Sequence, residues 1–364
     1  MEFLYETIAA VTWQQVIMWC LGALLIFLAI KKDMEPALLL PMGFGAILIN
    51  IPFSGAEGVM SSLFAIGIEM NEIMPLVLFI GIGAMIDFGP LLSNPKLFLF
   101  GGAAQFGIFL TILLAAACGF SIEDAASIGI IGAADGPTSI VVAQTLKSNY
   151  VGPIMVVAYS YMALVPIIQP AVIKLTTTKQ ERLLRMEYKP ASVSKRTKIL
   201  FPILVTIVSG LIAPASLSLV GMLMFGNLIR ECGVLNYLTD TAKDVLTNLV
   251  TLFLGITIAF TMKAENFITV QTLMIMGLGL CAFIFDTFSG VMLAKVMNLF
   301  LKEKINPMIG AAGISAFPMS ARIVQKMGIK EDPTNHLLMH AVGANVSGQI
   351  ASAIVGGLII GLVL

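Results

Sequence analysis

The sequence predicts an all-α polytopic membrane protein, and two observations lead to that prediction: its composition and its continuous apolar runs. Hydrophobic residues form 58% of the 364-residue chain and charged residues 12%, against about 45–50% and about 25% in soluble domains. Mean hydropathy is +0.96. A membrane barrel would need alternating rather than continuous apolar runs. At about 20 residues per span, we expect about ten or eleven membrane helices and broken or re-entrant hairpins.

The first half of the chain divides into a short surface helix, membrane spans and one polar stretch. Residues 1–15 are expected to form the surface helix. Residues 54–72 carry three glutamates and are expected to form a loop or an interfacial helix. Spans are expected at 16–30, 37–53, 73–92, 97–118 and 151–173, and the stretch around Asp135 lies within 125–146.

A basic segment at 174–198 separates the two halves. It holds eight lysines and arginines against two glutamates, and short basic loops stay cytoplasmic. We therefore expect a first transmembrane repeat at 1–173, a cytoplasmic linker, and a second repeat at 199–364. Lys31-Lys32 is expected on the same side. The two basic stretches, Lys31-Lys32 and 174–198, can both be cytoplasmic only if 125–146 enters the membrane and returns. A re-entrant segment is therefore predicted there.

The second half has the same general character as the first. Its spans are expected at 199–213, 216–230, 246–262, 268–285 and 287–301, followed by a broken stretch at 305–322 and a final helical region at 337–364. The balanced charge of the whole chain, 21 basic and 21 acidic residues, gives no indication of nucleic-acid binding.

A weak internal repeat relates the two halves. Asn94-Pro95 precedes Asp135 by 41 residues, and Asn306-Pro307 precedes Asn345 by 39. Glycine- and alanine-rich sequence follows each Asn-Pro pair. Repeats with broken helices at corresponding positions are typical of secondary transporters, whose ion site lies at the membrane midplane.

The first chemical motif is GAADGPT at 132–138, which places Asp135 beside a Gly-Pro break. Gly136 permits unusual dihedral angles, and Pro137 removes a backbone donor. The segment is therefore expected to be a discontinuous helix with Asp135 at the break. Freed carbonyls and a carboxylate would form an oxygen site for a small cation, and a buried ionisable residue in a membrane usually has a function. The alternative is an N-cap aspartate in an ordinary loop.

The second motif spans 306–322 and is interrupted by prolines at both ends. Asn306 and Ser315 supply neutral oxygens, and glycines such as Gly310 lie between the prolines. Arg322 offers a planar fork that suits a carboxylate. Helix capping is the alternative role for Asn306 and Ser315, and a snorkelling cation at the interface is the alternative for Arg322.

Two further sets of residues have competing interpretations. Tyr161 lies within a span, where it can orient a proton or a substrate, or simply belong to an aromatic belt. His336 and His340 are one turn apart but lack the glutamate of a zinc HExxH motif, which favours a structural pair.

Together the two motifs resemble the β subunit of sodium-translocating biotin-dependent decarboxylases, the family of the oxaloacetate, methylmalonyl-CoA, glutaconyl-CoA and malonate enzymes. GAADGPT at 132–138 and GISAFPM at 313–319 carry the resemblance, which extends over the chain from about residue 15. It implies a membrane-embedded carboxybiotin decarboxylase that releases CO₂, consumes a proton and exports Na⁺. It also implies two repeats of inverted topology with an elevator-like mobile part.

The resemblance also implies roles for residues and partners. Asp135 would be the shared Na⁺/H⁺ carboxylate, and Asn306, Gly310 and Ser315 would contribute to Na⁺ binding. Tyr161 and Arg322 match further functional positions, with Arg322 a contact for carboxybiotin. The expected partners are a carboxyltransferase subunit, a biotin carrier subunit that holds the biotin, and a small membrane anchor subunit, within a homo-oligomeric complex in the bacterial inner membrane.

Asn345 is added to the Na⁺ set because the internal repeat aligns it with Asp135. Two alternative functions stay open at this point. A Na⁺-coupled carboxylate transporter without chemistry would show the same broken helices and repeat. An inert assembly scaffold is disfavoured by the ionisable Asp135 in an apolar segment.

Overall fold

The computed structural model describes residues 2–188 and 193–364, and this part of the chain is helical without strands. Short π or 3-10 turns at Ala65–Glu69, Pro95–Leu97, Ile130–Ala133, Pro214–Ser216, Thr241–Leu246 and Phe260–Met262 interrupt or extend the helices. In chain order the α-helices are α1 (Glu2–Ala9), α2 (Trp13–Lys32), α3 (Pro36–Ile49), α4 (Ala56–Phe64), α5 (Ile73–Met85), α6 (Gly89–Ser93), α7 (Phe98–Ala104), α8 (Phe106–Ala117), α9 (Ile122–Gly129), α10 (Gly136–Thr145), α11 (Val151–Thr176), α12 (Lys179–Arg182), α13 (Lys195–Ile212), α14 (Leu217–Cys232), α15 (Asn236–Asp240), α16 (Thr247–Ala259), α17 (Ala264–Phe267), α18 (Val270–Phe300), α19 (Met308–Ala311), α20 (Met319–Glu331) and α21 (Leu338–Val363).

Within the described residues, six helices are long and apolar enough to cross a membrane, or seven if a bent pair counts as one span. The bent pair joins Ala56–Glu69 to Ile73–Met85 at 63°. The prediction of about ten or eleven membrane helices is therefore not confirmed. Several predicted spans are shorter helices, such as α3 and α14, or parts of hairpins.

One pair of predicted spans is wrong in the second half. Residues 268–285 and 287–301 were expected to be separate spans, but they form the single 31-residue helix α18. Asp286 lies between the two expected spans. The structure instead buries Asp286 completely within the continuous helix.

The segment at 125–146 enters the protein core and returns, as predicted from the charged anchors. Asp124 lies in the first turn of α9. The Asp124 carboxylate accepts hydrogen bonds from Ser148 Oγ at 2.7 Å and from the Asn149 backbone N–H at 2.8 Å. The two ends of the segment therefore lie side by side, with Asp135 at the tip between α9 and α10. We call residues 122–149 the first hairpin.

A second hairpin, residues 306–332, has its two ends on the basic linker. Arg182 in the linker pairs with Glu331 at 2.7 Å, and Arg185 pairs with Asp332 at 2.6 Å. At the other end of the hairpin, Asn306 Nδ2 donates to the Arg182 carbonyl oxygen at 2.9 Å. The tip of this hairpin is the non-helical stretch between α19 and α20.

The two hairpins enter from opposite ends of the molecule. Helix α11 starts directly after the first hairpin and ends at the linker that holds the second one. Its 26 residues span about 39 Å, which exceeds the hydrocarbon thickness of a membrane. The two tips therefore approach each other from opposite sides and meet inside the protein.

Helices of the two halves pack against each other throughout the molecule. Helix α3 packs on α16, α5 on α14, and α11 on α18. Small residues allow close approach, as at Gly83, where an added Cβ would lie 1.9 Å from the Leu223 carbonyl oxygen. Close approach of helix backbones at small residues is a usual basis of helix association in membranes.

Candidate functional site

Asp135 lies at the tip of the first hairpin and is 3% exposed. The 3-10 turn ends at Ala134 in the left-handed region (φ 52°), and α10 begins directly after Asp135 with Gly136 and Pro137. Proline is favoured in the first turn of a helix because its missing N–H has no partner there. The predicted helix break is therefore present, and Asp135 is both its N-cap and its buried carboxylate.

Three side chains of the described residues donate hydrogen bonds to the Asp135 carboxylate. Thr138 Oγ1 lies 2.7 Å from Oδ2, Ser352 Oγ 2.9 Å and Gln349 Nε2 3.3 Å. Gln349 and Ser352 belong to α21, so the final helix supplies most of the polar environment of the first hairpin tip. Charge-assisted hydrogen bonds of this kind stabilise the ionised carboxylate.

Tyr159 of α11 packs directly against the break. A Cβ added at Gly136 would lie 2.3 Å from two ring carbons of Tyr159, so only glycine fits at this position. The Tyr159 hydroxyl is buried, and among the described residues it has no hydrogen-bond partner. It therefore adds an unused polar atom to the surroundings of the tip.

The tips of the two hairpins are joined by a direct backbone hydrogen bond. Ser315 N–H donates to the Ala133 carbonyl oxygen at 3.0 Å, and Ser315 Oγ donates to Gly348 of α21 at 3.2 Å. Ser315 and Asp135 thus lie in the same crossing region. A crossing of two broken segments is a site where non-helical backbone is protected inside protein.

Asn345 supports the second tip and leaves an oxygen without a partner. Its Nδ2 donates to the Ile314 carbonyl oxygen at 2.6 Å. In the described part of the chain, neither Asn345 Oδ1 nor Gln349 Oε1 accepts a hydrogen bond, although both are buried. Residues 345, 349 and 352 are spaced by four and three, so they share one face of α21.

The structure places Asn306 and Gly310 away from this oxygen set. Asn306 Nδ2 donates to the carbonyl oxygens of Arg182 and Leu184, and its Oδ1 accepts from Met308 N–H at 3.0 Å. Gly310 packs on α18, where an added Cβ would lie 2.0 Å from the Gly290 carbonyl oxygen. These contacts favour the alternative capping role for Asn306 and explain Gly310 by close packing.

The tyrosine chosen from the sequence, Tyr161, is not the one beside Gly136. Its hydroxyl donates to the Met276 carbonyl oxygen of α18, and its ring lies with Ile131 against Gly279. Residues two apart on a helix point about 200° from each other. Tyr161 therefore joins α11 to α18, while Tyr159 contacts the tip.

Gln169 holds the second hairpin from the side of α11. Its Nε2 donates to the Ala311 carbonyl oxygen at 2.7 Å and to Ser320 Oγ at 2.6 Å. These two partners lie on either side of the non-helical tip. Gln169 thus fixes the width of the second break.

Arg322 follows the second tip by about one turn of α20 and is exposed. Burial raises the pKa of the Glu35 carboxyl in the α2–α3 turn, and the nearby charge of Arg322 partly offsets that rise. The guanidinium is thus accessible and lies near the α2–α3 turn. His340 lies elsewhere, in ring contact with Tyr188 at 5.6 Å, which supports a structural role.

A polar cleft of about 760 Å³ opens beside the linker. Basic side chains dominate its charged lining, and His340 at the start of α21 forms one wall. The charged residues lining it are Lys96, Arg185, Glu187, Lys302, Glu303 and Lys304. From His340 to Ser352, α21 rises twelve residues, or about 18 Å, so the cleft lies well outside the crossing of the tips.

The comparison with protein families gives the context of this site. The family model of the Na⁺-transporting oxaloacetate decarboxylase beta subunit matches residues 14–363, nearly the whole chain. The chain belongs to this family. As a β subunit of a Na⁺-transporting decarboxylase, it is a membrane component of a multi-subunit enzyme.

Similar β subunits act in complexes with different substrates. The chain is 50% identical to the methylmalonyl-CoA decarboxylase subunit beta of Propionigenium modestum, over 95% of this chain and 94% of that protein. It is 48% identical to the glutaconyl-CoA decarboxylase subunit beta of Acidaminococcus fermentans, over 97% and 94%. It is 42% identical to the oxaloacetate decarboxylase beta chain of Klebsiella pneumoniae, over 96% and 95%.

Several residues that surround Asp135 in this β subunit were not predicted from the sequence. Thr138 was visible in the GAADGPT motif, three residues after the acid, where an N-cap partner is expected. Gln349 and Ser352 were visible as polar residues spaced from Asn345 on one face of an apolar helix. Nothing in the sequence distinguishes Tyr159 from Tyr161, because the choice depends on the rotation of α11.

Proposed function

We propose that this β subunit decarboxylates carboxybiotin, presented by a partner carrier subunit, and couples that step to Na⁺ export. The observation that carries the proposal is the burial of Asp135 where two opposed hairpins cross. Family membership favours this activity over carboxylate transport without chemistry. A single carboxylate between two entrances suits an ion that is taken from one side and released to the other.

The transported Na⁺ would bind between Asp135 and the neutral oxygens around it. Hard cations prefer oxygen ligands, and the buried Tyr159 hydroxyl, Asn345 Oδ1 and Gln349 Oε1 have no partner in the described residues. Ser315 helps to form the site by joining the tips. Asn306 and Gly310 would act indirectly, by holding the second hairpin to the linker and to α18.

The chemical step requires a proton at the biotin ureido nitrogen. The bond between this nitrogen and the carboxyl carbon breaks, CO₂ leaves, and a proton takes the place of the carboxyl group. Asp135 can bind either Na⁺ or a proton without leaving a bare charge in the membrane. Exchange of the two cations at one carboxylate would thereby couple proton consumption to Na⁺ release.

Arg322 is the proposed contact for the carboxylate of carboxybiotin. It is exposed and lies one turn from the second tip, and a guanidinium binds a carboxylate through two parallel hydrogen bonds. Tyr161 is proposed as a positioning residue, because its hydroxyl ties α11 to α18 beside the first hairpin.

The fold supports a transport cycle with alternating access. Two hairpins that enter from opposite ends are consistent with repeats of inverted topology and with an elevator-like mobile part. An inverted repeat would place the two Asn-Pro pairs on opposite sides of the molecule. Asn94 and Ile305, which belong to or adjoin these pairs, instead line the same cleft. We therefore propose the inversion for the two hairpins only.

The proposed setting is the bacterial inner membrane with the linker in the cytoplasm. Carboxyltransferase, biotin carrier and small anchor subunits would complete the complex, which would contain several copies of this chain. Biotin would be attached to the carrier and not to this chain.

The test uses the complete complex reconstituted into vesicles, with decarboxylation and ²²Na⁺ uptake measured together. Asp135→Asn should reduce both activities to background, because the amide carries no charge and binds neither cation in exchange. Asp244→Asn is the control, since it makes the same change at an exposed position outside both hairpins. It should leave the KM for Na⁺ unchanged. Wild-type turnover in Asp135→Asn would refute the proposed function.

A further inference from the structure

The polar cleft beside the linker lies where three apolar helices reach the same end of the molecule. One candidate membrane span begins at Pro95, another ends at Phe300 and a third begins at Leu338. The lining residues Lys96 and Leu301 directly follow the first two of these positions. Because membrane helices end where the hydrocarbon core meets the lipid headgroups, the cleft lies at the level of the headgroups.

Large apolar side chains are exposed directly beside the cleft. Leu299 and Phe300, in the last turn of α18, are 77% and 84% exposed, and Met186 and Leu301 line the cleft itself. An exposed apolar surface with polar residues at its rim marks a site of contact with a membrane or a partner. At the end of a membrane span, this surface suits lipid acyl chains.

The charged side chains of the cleft carry a net positive charge. Four are basic and two are acidic: Lys96, Arg185, Lys302 and Lys304 against Glu187 and Glu303. Arg185 is held in its ion pair with the second hairpin, and Lys304 Nζ donates to the Asn298 carbonyl oxygen. Within the described residues, neither Lys96 nor Lys302 has an ion-pair partner. Both are exposed, so their ammonium groups are available to an anion.

His340 adds a buried polar atom to the wall of the cleft. It lies in the first turn of α21 and is 7% exposed. Its ring nitrogen Nε2 is buried and has no hydrogen-bond partner among the described residues. Buried polar atoms in folded proteins almost always have a partner. A hydroxyl would donate to this nitrogen, and a phosphate oxygen would accept from it if the ring is protonated.

We propose that the cleft binds the headgroup of an anionic phospholipid, whose acyl chains lie along the exposed end of α18. Lys96 and Lys302 would hold the phosphate, and His340 would pair with a polar atom of the headgroup. Basic pockets between membrane helices recognise anionic headgroups in this way. The cleft volume of about 760 Å³ is in the range of ligand-binding sites.

A lipid suits this cleft better than a soluble anion or an acidic protein surface. The two free lysines alone would suit all three ligands. The exposed apolar side chains of Leu299 and Phe300 and the three span ends favour a ligand that carries acyl chains and lies in the membrane. The inference does not depend on the role of Asp135, because the cleft lies well outside the crossing of the tips.

The test is equilibrium binding of radiolabelled phosphatidylglycerol to the purified complete complex, in mixed micelles of a non-ionic detergent and phosphatidylcholine. Wild-type complex should bind phosphatidylglycerol with a saturable, high-affinity component. Combining Lys96→Gln with Lys302→Gln should weaken that component by about 25-fold, because each lysine beside an anionic lipid contributes a factor of about five. Excess inorganic phosphate should not displace the lipid.

Two further double variants separate a specific site from general charge and from folding. Lys31→Gln with Lys32→Gln removes the same two charges from exposed positions at the end of α2, outside the cleft, and should leave the affinity unchanged. Lys96→Arg with Lys302→Arg keeps the charges and should retain the lipid. The melting temperature of each variant reports on folding.

Three outcomes would overturn the inference. Equal losses in the two glutamine double variants would mean that the lipid responds to overall charge and not to the cleft. Displacement of the lipid by inorganic phosphate would mean that the cleft takes a soluble anion. Unchanged lipid binding in the Lys96 and Lys302 glutamine variant, together with loss of a copurifying subunit, would mean that the cleft docks an acidic protein surface.

Discussion

At the scale of single residues, the surroundings of Asp135 combine hydrogen-bond donors with unused acceptors. Thr138 and Ser352 donate to the carboxylate, while Asn345 and Gln349 each leave an amide oxygen unpaired. Donors alone would make a stable capped aspartate, and acceptors alone would leave unsatisfied atoms. The combination fits a carboxylate that keeps its position while a cation enters and leaves.

The Ser352 hydroxyl should matter for Na⁺ affinity, because it donates directly to the Asp135 carboxylate at 2.9 Å. A hydrogen bond to a charged group contributes about 1.5–3 kcal/mol. Ser352→Ala is therefore expected to raise the KM for Na⁺ by about tenfold or more, measured as Na⁺-dependent decarboxylation.

Ser347→Ala is the control for Ser352→Ala on the same helix. Ser347 is also buried, but its hydroxyl contacts Gly101 N–H and the Leu97 carbonyl oxygen. This variant should lower the melting temperature without changing the KM for Na⁺. Equal effects of the two variants on that KM would mean that α21 responds as a whole and that Ser352 has no specific role.

Arg322 is expected to bind the substrate carboxylate and not the cation. Arg322→Lys keeps the charge but loses the planar fork, so it should reduce turnover, and Arg322→Ala should reduce it further. The KM for Na⁺ should change less than in Ser315→Ala. Lys302→Ala in the cleft is the comparison. If Lys302→Ala reduces turnover and Arg322→Ala does not, the carboxylate binds in the cleft.

At the scale of elements, each hairpin is closed at its base by polar contacts. Asp124 closes the first hairpin through Ser148 and Asn149. The linker closes the second hairpin through Arg182 and Arg185. With their bases fixed at opposite ends of α11, the hairpins can meet only at their tips. The geometry at Asp135 therefore depends on contacts made about half a membrane thickness away.

The two hairpin bases should face opposite aqueous compartments, with the linker in the cytoplasm. The experiment needs a chain without its four native cysteines, of which Cys20 and Cys118 are exposed. Single cysteines are then placed at Leu183 and Lys147, both exposed. In intact cells, a membrane-impermeant thiol reagent should label Lys147→Cys and not Leu183→Cys. Labelling of both positions from outside would invalidate the proposed topology.

At the scale of the whole molecule, the sequence predicted the fold class and the position of the first break correctly. The Gly-Pro pair next to Asp135 is a local signal, because it acts through the dihedral angles and hydrogen bonds of its own backbone. The entering and returning course of 125–146 followed from the charges at both ends. Such local and compositional signals can be recognised without knowing any tertiary contact.

The remaining features depend on tertiary contacts. Asp286 lies between two expected spans, and only the packing of α18 against Gly107 and Gly132 shows that a continuous helix can bury it. The choice between Tyr159 and Tyr161 depends on how α11 is rotated. Asn306 carries an amide oxygen of the kind that binds cations. Its amide nitrogen, however, donates to two carbonyl oxygens of the linker, which holds the side chain there.

We call the contacts between the linker and the second hairpin the clasp. Because of the clasp, the linker packs with the second half of the molecule although it follows the first half along the chain. Arg182 and Arg185 precede the second half in the chain but are held by Glu331 and Asp332. Asn306 and Asn335 each donate to the carbonyl oxygens of both Arg182 and Leu184. The chain connection after residue 188 should therefore be dispensable for assembly.

Two gene fragments, encoding residues 1–188 and 193–364, are therefore expected to complement each other when co-expressed. The fragments should copurify and retain Na⁺-dependent decarboxylation. When the chain is split after residue 173 instead, the linker and the second hairpin belong to the same fragment. The clasp then no longer joins the two fragments, so they should associate less well. Equal recovery from both designs would show that helix packing alone joins the halves. In genetic terms, the functional unit would be the pair of hairpins, and the linker would have to stay with the first gene fragment to hold the second one.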